Sequence, residues 1–113
     1  MSDRKMLMKM MLTVALCLLV YIIFESPTRA VEQENGEDGF KEHCAECHRE
    51  GGNIVNPNKT LSEKDRKSNG IKTVDEIVRI MRKPGEGMTR FDEKTISDKD
   101  ARRIAVYIIN TFK

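Results

Sequence analysis

At 113 residues, with 34% of its side chains charged, the chain has room for one small domain. Its formal net charge of +2 resides wholly in the first thirty residues, because the 83 residues from Val31 onward carry 16 basic and 16 acidic side chains. That balance argues against a nucleic-acid partner, which calls for a strong basic excess.

The leader comes first. Arg4, Lys5 and Lys9 precede fifteen uncharged residues, Met10 to Phe24, and a polar stretch from Glu25 ends at Ala30. A positive start, an apolar centre and a small residue before the cut predict a secretory signal peptide over residues 1–30. An uncleaved N-terminal anchor is the alternative, although the apolar run falls short of the ~20 residues that span a bilayer. Acylation at Cys17 is disfavoured by bulky Leu16 before it and by the apolar run that continues past it. All three readings export the domain, so a periplasmic location is expected, soluble or membrane-tethered. Residues 31–35 are predicted as a loose acidic lead-in, and 36–113 as the folded domain.

Gly36 to Glu46 predicts a helix with Phe40 on the face shared by Cys44 and Cys47. There the chain spells Cys44-Ala45-Glu46-Cys47-His48, the attachment sequence for a c-type haem. Residues three apart on a helical turn share a face, so both thiols can form thioethers with the vinyl groups on one porphyrin edge. His48, next in line, can present an imidazole nitrogen to the iron. A thioredoxin-like dithiol would need βαβ surroundings, and a structural zinc site a second ligand pair; neither accompanies the motif. One covalent haem c is therefore expected, tethered by Cys44 and Cys47 with His48 as proximal iron ligand. The Pro57 carbonyl is the expected partner of the other ring nitrogen. A domain this small has a marginal core, and a buried haem would supply the missing apolar surface.

The turn-rich stretch from Gly51 to Lys59 must be loop, with Ile54 and Val55 expected to point inward. Ser62 caps a short helix that Gly70 stops. Thr73-Val-Asp-Glu76 is a capping box opening a helix that carries Ile77, Val78, Ile80 and Met81 and ends before Pro84. Ser97 caps the last helix, whose apolar face is Ala101, Ile104, Ala105 and Ile108, with Tyr107 on its flank. With no strand pattern visible, the domain is predicted to be all-α, with about four helices. Its first and last helices should cross through Gly36, Phe40, Ala101, Ile104 and Tyr107.

Three residues compete for the distal side of the iron. His43 adjoins the first tethering cysteine, cannot cross the ring and reads as a solvated helix histidine. Met81, on an amphipathic helix, reads as core filler. Met88 stands in a Gly- and Pro-bearing loop, Pro84 to Phe91, with little apolar company, and is the predicted distal iron ligand.

Taken together, these segments resemble the class I c-type cytochromes, and within them the cytochrome c6 group, from Gly36 to about Phe112. The resemblance rests on Gly36 and Phe40 before Cys44, the Cys44-to-His48 motif, Gly51-Gly52-Asn53, Pro57 and Lys59-Thr60-Leu61. It extends to Met88-x-x-Phe91 and to Tyr107 in the last helix. Thr89 stands where the family has Pro, and the stretch from Gly52 to Pro57 is one residue short of the pattern. The resemblance implies a class I cytochrome c fold around one haem and His–Met ligation of the iron. With both positions filled, the expected role is that of a non-enzymatic, monomeric one-electron carrier. Protein redox donors and acceptors would dock near an exposed haem edge. Arg79, Arg82, Lys83 and Arg90, set against Glu86, read either as a solvated helix face or as cations that steer an acidic partner there. The alternative is a ligand-binding haem, a sensor or peroxidase-like site, with Met88 labile because Thr89 loosens its loop.

Overall fold

Helix caps written in the sequence set the starts of the last three helices of the chain. The computed structural model describes residues 2–23 and 28–113, and among them are five α-helices and no strand. Helix α1 (Ser2–Ile23) covers the positive and apolar parts of the leader. Among the described residues, no helix is long and apolar enough to cross a membrane. Of the leader's polar end only Thr28 to Ala30 is described; residues 24–27, and most of the approach to the expected cleavage site, lie outside.

Helix α2 (Thr28–His43) differs from expectation at both ends. The acidic residues 31–35 are helical rather than a loose lead-in, because Arg29, Ala30, Glu32, Gln33 and Glu34 are good helix formers and neither Gly nor Pro interrupts them before Gly36. At the other end the helix stops at His43, not Glu46. The Phe40 carbonyl accepts from both Cys44 N at 2.8 Å and Ala45 N at 2.9 Å, so the winding widens and the cysteine motif runs through turns.

The other helices begin at their predicted caps. Helix α3 (Glu63–Ser68) starts at Ser62, whose side chain accepts from the Asp65 amide, and Gly70 leaves it at φ +73°. Helix α4 (Val74–Arg82) opens on the complete Thr73/Glu76 capping box and buries Ile77 and Met81. Helix α5 (Asp98–Thr111), capped by Ser97, buries Ala101, Ile104, Ala105 and Ile108.

Helix α5 is the spine, packing against both α2 and α4. The α2–α5 crossing is as close as backbones allow. A Cβ on Gly36 would overlap the Arg103 carbonyl and lie 3.0 Å from Tyr107 Cβ. Above it three rings cluster, Phe40 lying 5.3 Å from Tyr107 and 5.4 Å from Phe112 between centroids. Phe112 also covers Gly51, so the C-terminal end closes over the turn that follows the cysteine motif. Arg66, only 5% exposed, holds this corner: its Nε donates to Leu61 O at 2.8 Å and Nη2 to Phe112 O at 3.2 Å.

Candidate haem site

The cysteine motif sits where α2 unwinds against α5. Cys44 belongs to the buried core beside Phe40, whereas Cys47 is exposed, and both thiols are free. The two are thus not equivalent. Burial, reinforced by Cys47 nearby, pushes the Cys44 thiol up to about 11.

His48 follows on a tight return. Its amide donates to Cys44 O at 2.9 Å, and then Glu50 and Gly51 both adopt left-handed backbone, φ 52° and 78°. Two such residues in succession fold the chain back, so the Gly52 carbonyl lies 2.7 Å from His48 Nδ1. A carbonyl can only accept, so Nδ1 carries the proton and Nε2 is left with its lone pair available to a metal. The expected Pro57 partner is thereby replaced by Gly52. Pro57 is exposed on a loop organised instead by Asn53, whose Oδ1 accepts the amides of Val55 and Asn56 and whose Nδ2 donates to Lys59 O. The Gly51-Gly52 doublet, three residues after His48, is the sequence signal for this turn.

Ile54 and Val55 also depart from expectation. They are 69% and 59% exposed, because the Asn53 turn projects the loop tip outward. Val55 still has a neighbour: a Cβ at Gly87, itself at φ +87°, would lie 2.8 Å from Val55 Cγ1. The loop after His48 therefore meets the loop that carries Met88.

Met88 is half-buried and packs against the hydrophobic core, in more apolar company than its sequence neighbours suggested. Met81 is a core residue at 3% exposure, as expected. His43 is half-buried rather than solvated, its ring 6.1 Å from Phe91 in an edge contact. Phe91 closes the base of the Met88 loop through its amide to Met81 O at 2.9 Å.

Arg82 is not the surface cation that the sequence suggested. Its Nη1 donates to Phe91 O at 3.0 Å, and its Nη2 to Ile96 O at 3.0 Å and Asp98 Oδ1 at 2.7 Å. Arg79, Lys83 and Arg90 are exposed. The roles of Arg82 and Arg66 were hidden because backbone carbonyls, which leave no mark in a sequence, are their partners.

This donor set fits a c-type haem: two free thiols three residues apart, an imidazole with one nitrogen committed and the other open, and a half-buried thioether on an adjoining loop. Among the described residues no group of three or more His, Cys, Asp and Glu is arranged to hold a metal ion, so the cysteine pair lacks the companions of a zinc site.

The chain as a whole is similar to known proteins. Residues 31–108 match the family model described as cytochrome c oxidase, cbb3-type, subunit III. A cytochrome c6 from Rippkaea orientalis is 31% identical over 99 residues, 84% of this chain and 88% of the relative. The solved structure of OmcF, outer membrane cytochrome F from Geobacter sulfurreducens, is 44% identical with a TM-score of 0.67, covering 69% of this chain and 99% of that one. Oxidised cytochrome c6A from Arabidopsis thaliana is 29% identical with a TM-score of 0.66, covering 70% of this chain and 88% of that one. The chain belongs to the class I c-type cytochromes and is similar to the cytochrome c6 group.

Proposed function

We propose that this protein is a one-electron carrier, with a single haem c tethered through Cys44 and Cys47 and its iron held between His48 and Met88. The observation that carries the proposal is the 2.7 Å bond from His48 Nδ1 to the Gly52 carbonyl. It fixes the ring and its tautomer directly after two free thiols, as ligand histidines require. The bound haem supplies one reversible Fe(III)/Fe(II) couple, whose potential methionine ligation raises. The chain's own work would be to keep the His48 and Met88 side chains in place while the electron comes and goes. Cys44 would hold the haem from the core and Cys47 from the surface, while Phe91 roots the Met88 loop.

Export accompanies this reading, with residues 1–30 as signal peptide or retained tether. Redox partners are proteins that dock beside the Met88 loop, where the exposed Arg79, Lys83 and Arg90 favour an acidic face. Mass spectrometry of the purified protein should give one haem added to a chain starting near Val31. The ferric protein should display the weak red absorption band of methionine-bound haem iron, and Met88→Ala should abolish it and open the reduced protein to rapid carbon monoxide binding. Rapid carbon monoxide binding by the wild-type protein would instead favour the ligand-binding alternative.

A further inference from the structure

We infer that Arg82 is a positioning residue for the distal ligand: it clamps the base of the Met88 loop and sets how often Met88 leaves the iron. The inference rests on the haem reading above and adds a residue to it. The loop from Lys83 to Arg90 has little to hold it from within. A side chain at Gly85 would meet nothing within 4 Å, Gly87 takes a left-handed φ of +87°, and the Met88 amide reaches Gly85 O only at 3.4 Å. Thr89, following Met88, leaves φ free where a proline ring would fix it.

Order must therefore be imposed at the base, and residues 81 and 82 supply it there. The Phe91 amide donates to Met81 O, and the Phe91 carbonyl accepts from Arg82 Nη1 at 3.0 Å, so both polar groups of Phe91 are taken up by two consecutive residues of α4. The other arm of the guanidinium carries the constraint onward to Ile96 O and to Asp98 at the first turn of α5. Its side chain is only 19% exposed, which shields these bonds from competing water. A rigid planar fork can serve three acceptors in fixed directions; a lysine ammonium in its place cannot span the Phe91 and Ile96 carbonyls together. Phe91 is three residues from Met88, so slack at Phe91 becomes freedom at the thioether.

The test uses the full haem protein with carbon monoxide as probe, since it binds the reduced iron only when Met88 has left. Arg82→Lys and Arg82→Gln should each speed carbon monoxide binding by about tenfold or more, the factor that losing one hydrogen bond to a charged group implies. Asp98→Asn, which spares both carbonyl bonds, should have a smaller effect, and Lys64→Ala, at an exposed position of α3, none. In the Arg82 variants the methionine–iron band should fade on heating well before helix circular dichroism does. Rates unchanged in Arg82→Lys would overturn the inference. So would band and helix signals melting together at a lowered temperature, because Arg82 would then serve global stability alone. Should Arg82→Gln fail to fold, the lysine variant and Asp98→Asn still decide the matter. Absence of the band in the wild-type protein would instead sink the Met88 ligation on which the inference depends.

Discussion

The two cysteines of one motif live in different surroundings, and that asymmetry is measurable. Cys44 lies in the core and Cys47 outside it, so with the other thioether retained, Cys44→Ala should cost about 1 kcal/mol more than Cys47→Ala for the buried group removed. Denaturant unfolding of the two single variants checks this, and equal losses would contradict the burial difference. Glu50 is the other telling residue, a side chain held at φ 52° to return the Gly52 carbonyl to His48. Left-handed backbone disfavours a residue with a Cβ, so Glu50→Gly should stabilise the protein by about 1 kcal/mol, with the haem spectrum unchanged. The cysteine motif was legible because its chemistry depends on adjacent residues. The Gly52 bond was not, because it depends on backbone angles at Glu50 and Gly51.

Among the elements, the α2–α5 crossing is the least forgiving. Even Gly36→Ala would drive a Cβ into the Arg103 backbone, and a loss of ~1–3 kcal/mol in thermal or denaturant melts is expected. A neutral outcome would mean the helices are not in contact at Gly36. The caps carry a pH dependence of definite sign. Backbone amides of Lys72 and Thr73 hold the Glu76 carboxyl below its ordinary range, and the Thr60 hydroxyl does the same for Asp65. Because folding depresses these pKa values, the stability they lend is present above the ordinary carboxylate range. It is lost as the pH falls below about 4 and through the depressed values. Melting temperature should accordingly drop on acidification, and Glu76→Gln should fall less steeply than the wild type. Cap residues sit within three positions of the amides they serve, which is why helix starts could be read from sequence. The starting point of α2 could not, since residues 32–35 are polar or acidic and show no apolar periodicity to mark a helix.

Across the whole molecule, Arg66 joins parts distant in sequence. It ties α3 to the C-terminal Phe112, which covers the turn after the cysteine motif. Arg66→Met would leave the Leu61 and Phe112 carbonyls without this donor, at a cost of about 1–3 kcal/mol in equilibrium unfolding. Little or no loss would show that water replaces the guanidinium. Docking belongs to the same scale: on the proposed reading, Arg82 is engaged at the loop base and its exposed neighbours Lys83 and Arg90 are left to steer a partner. Lys83→Glu with Arg90→Glu should slow electron transfer to an acidic partner and flatten its salt dependence, the haem spectrum staying as it was. By itself the sequence determined the all-α class, the helix starts at Ser62, Thr73 and Ser97, the buried faces of α4 and α5, and the candidate haem residues. Each depends on neighbours within about one helical turn. Tertiary structure alone decided that Gly52 rather than Pro57 faces His48, that His43 packs on Phe91, and that Arg66 and Arg82 act as clamps. In each of these the partner is brought close by the folded path of the backbone, and a carbonyl or ring face has no residue pattern to announce it.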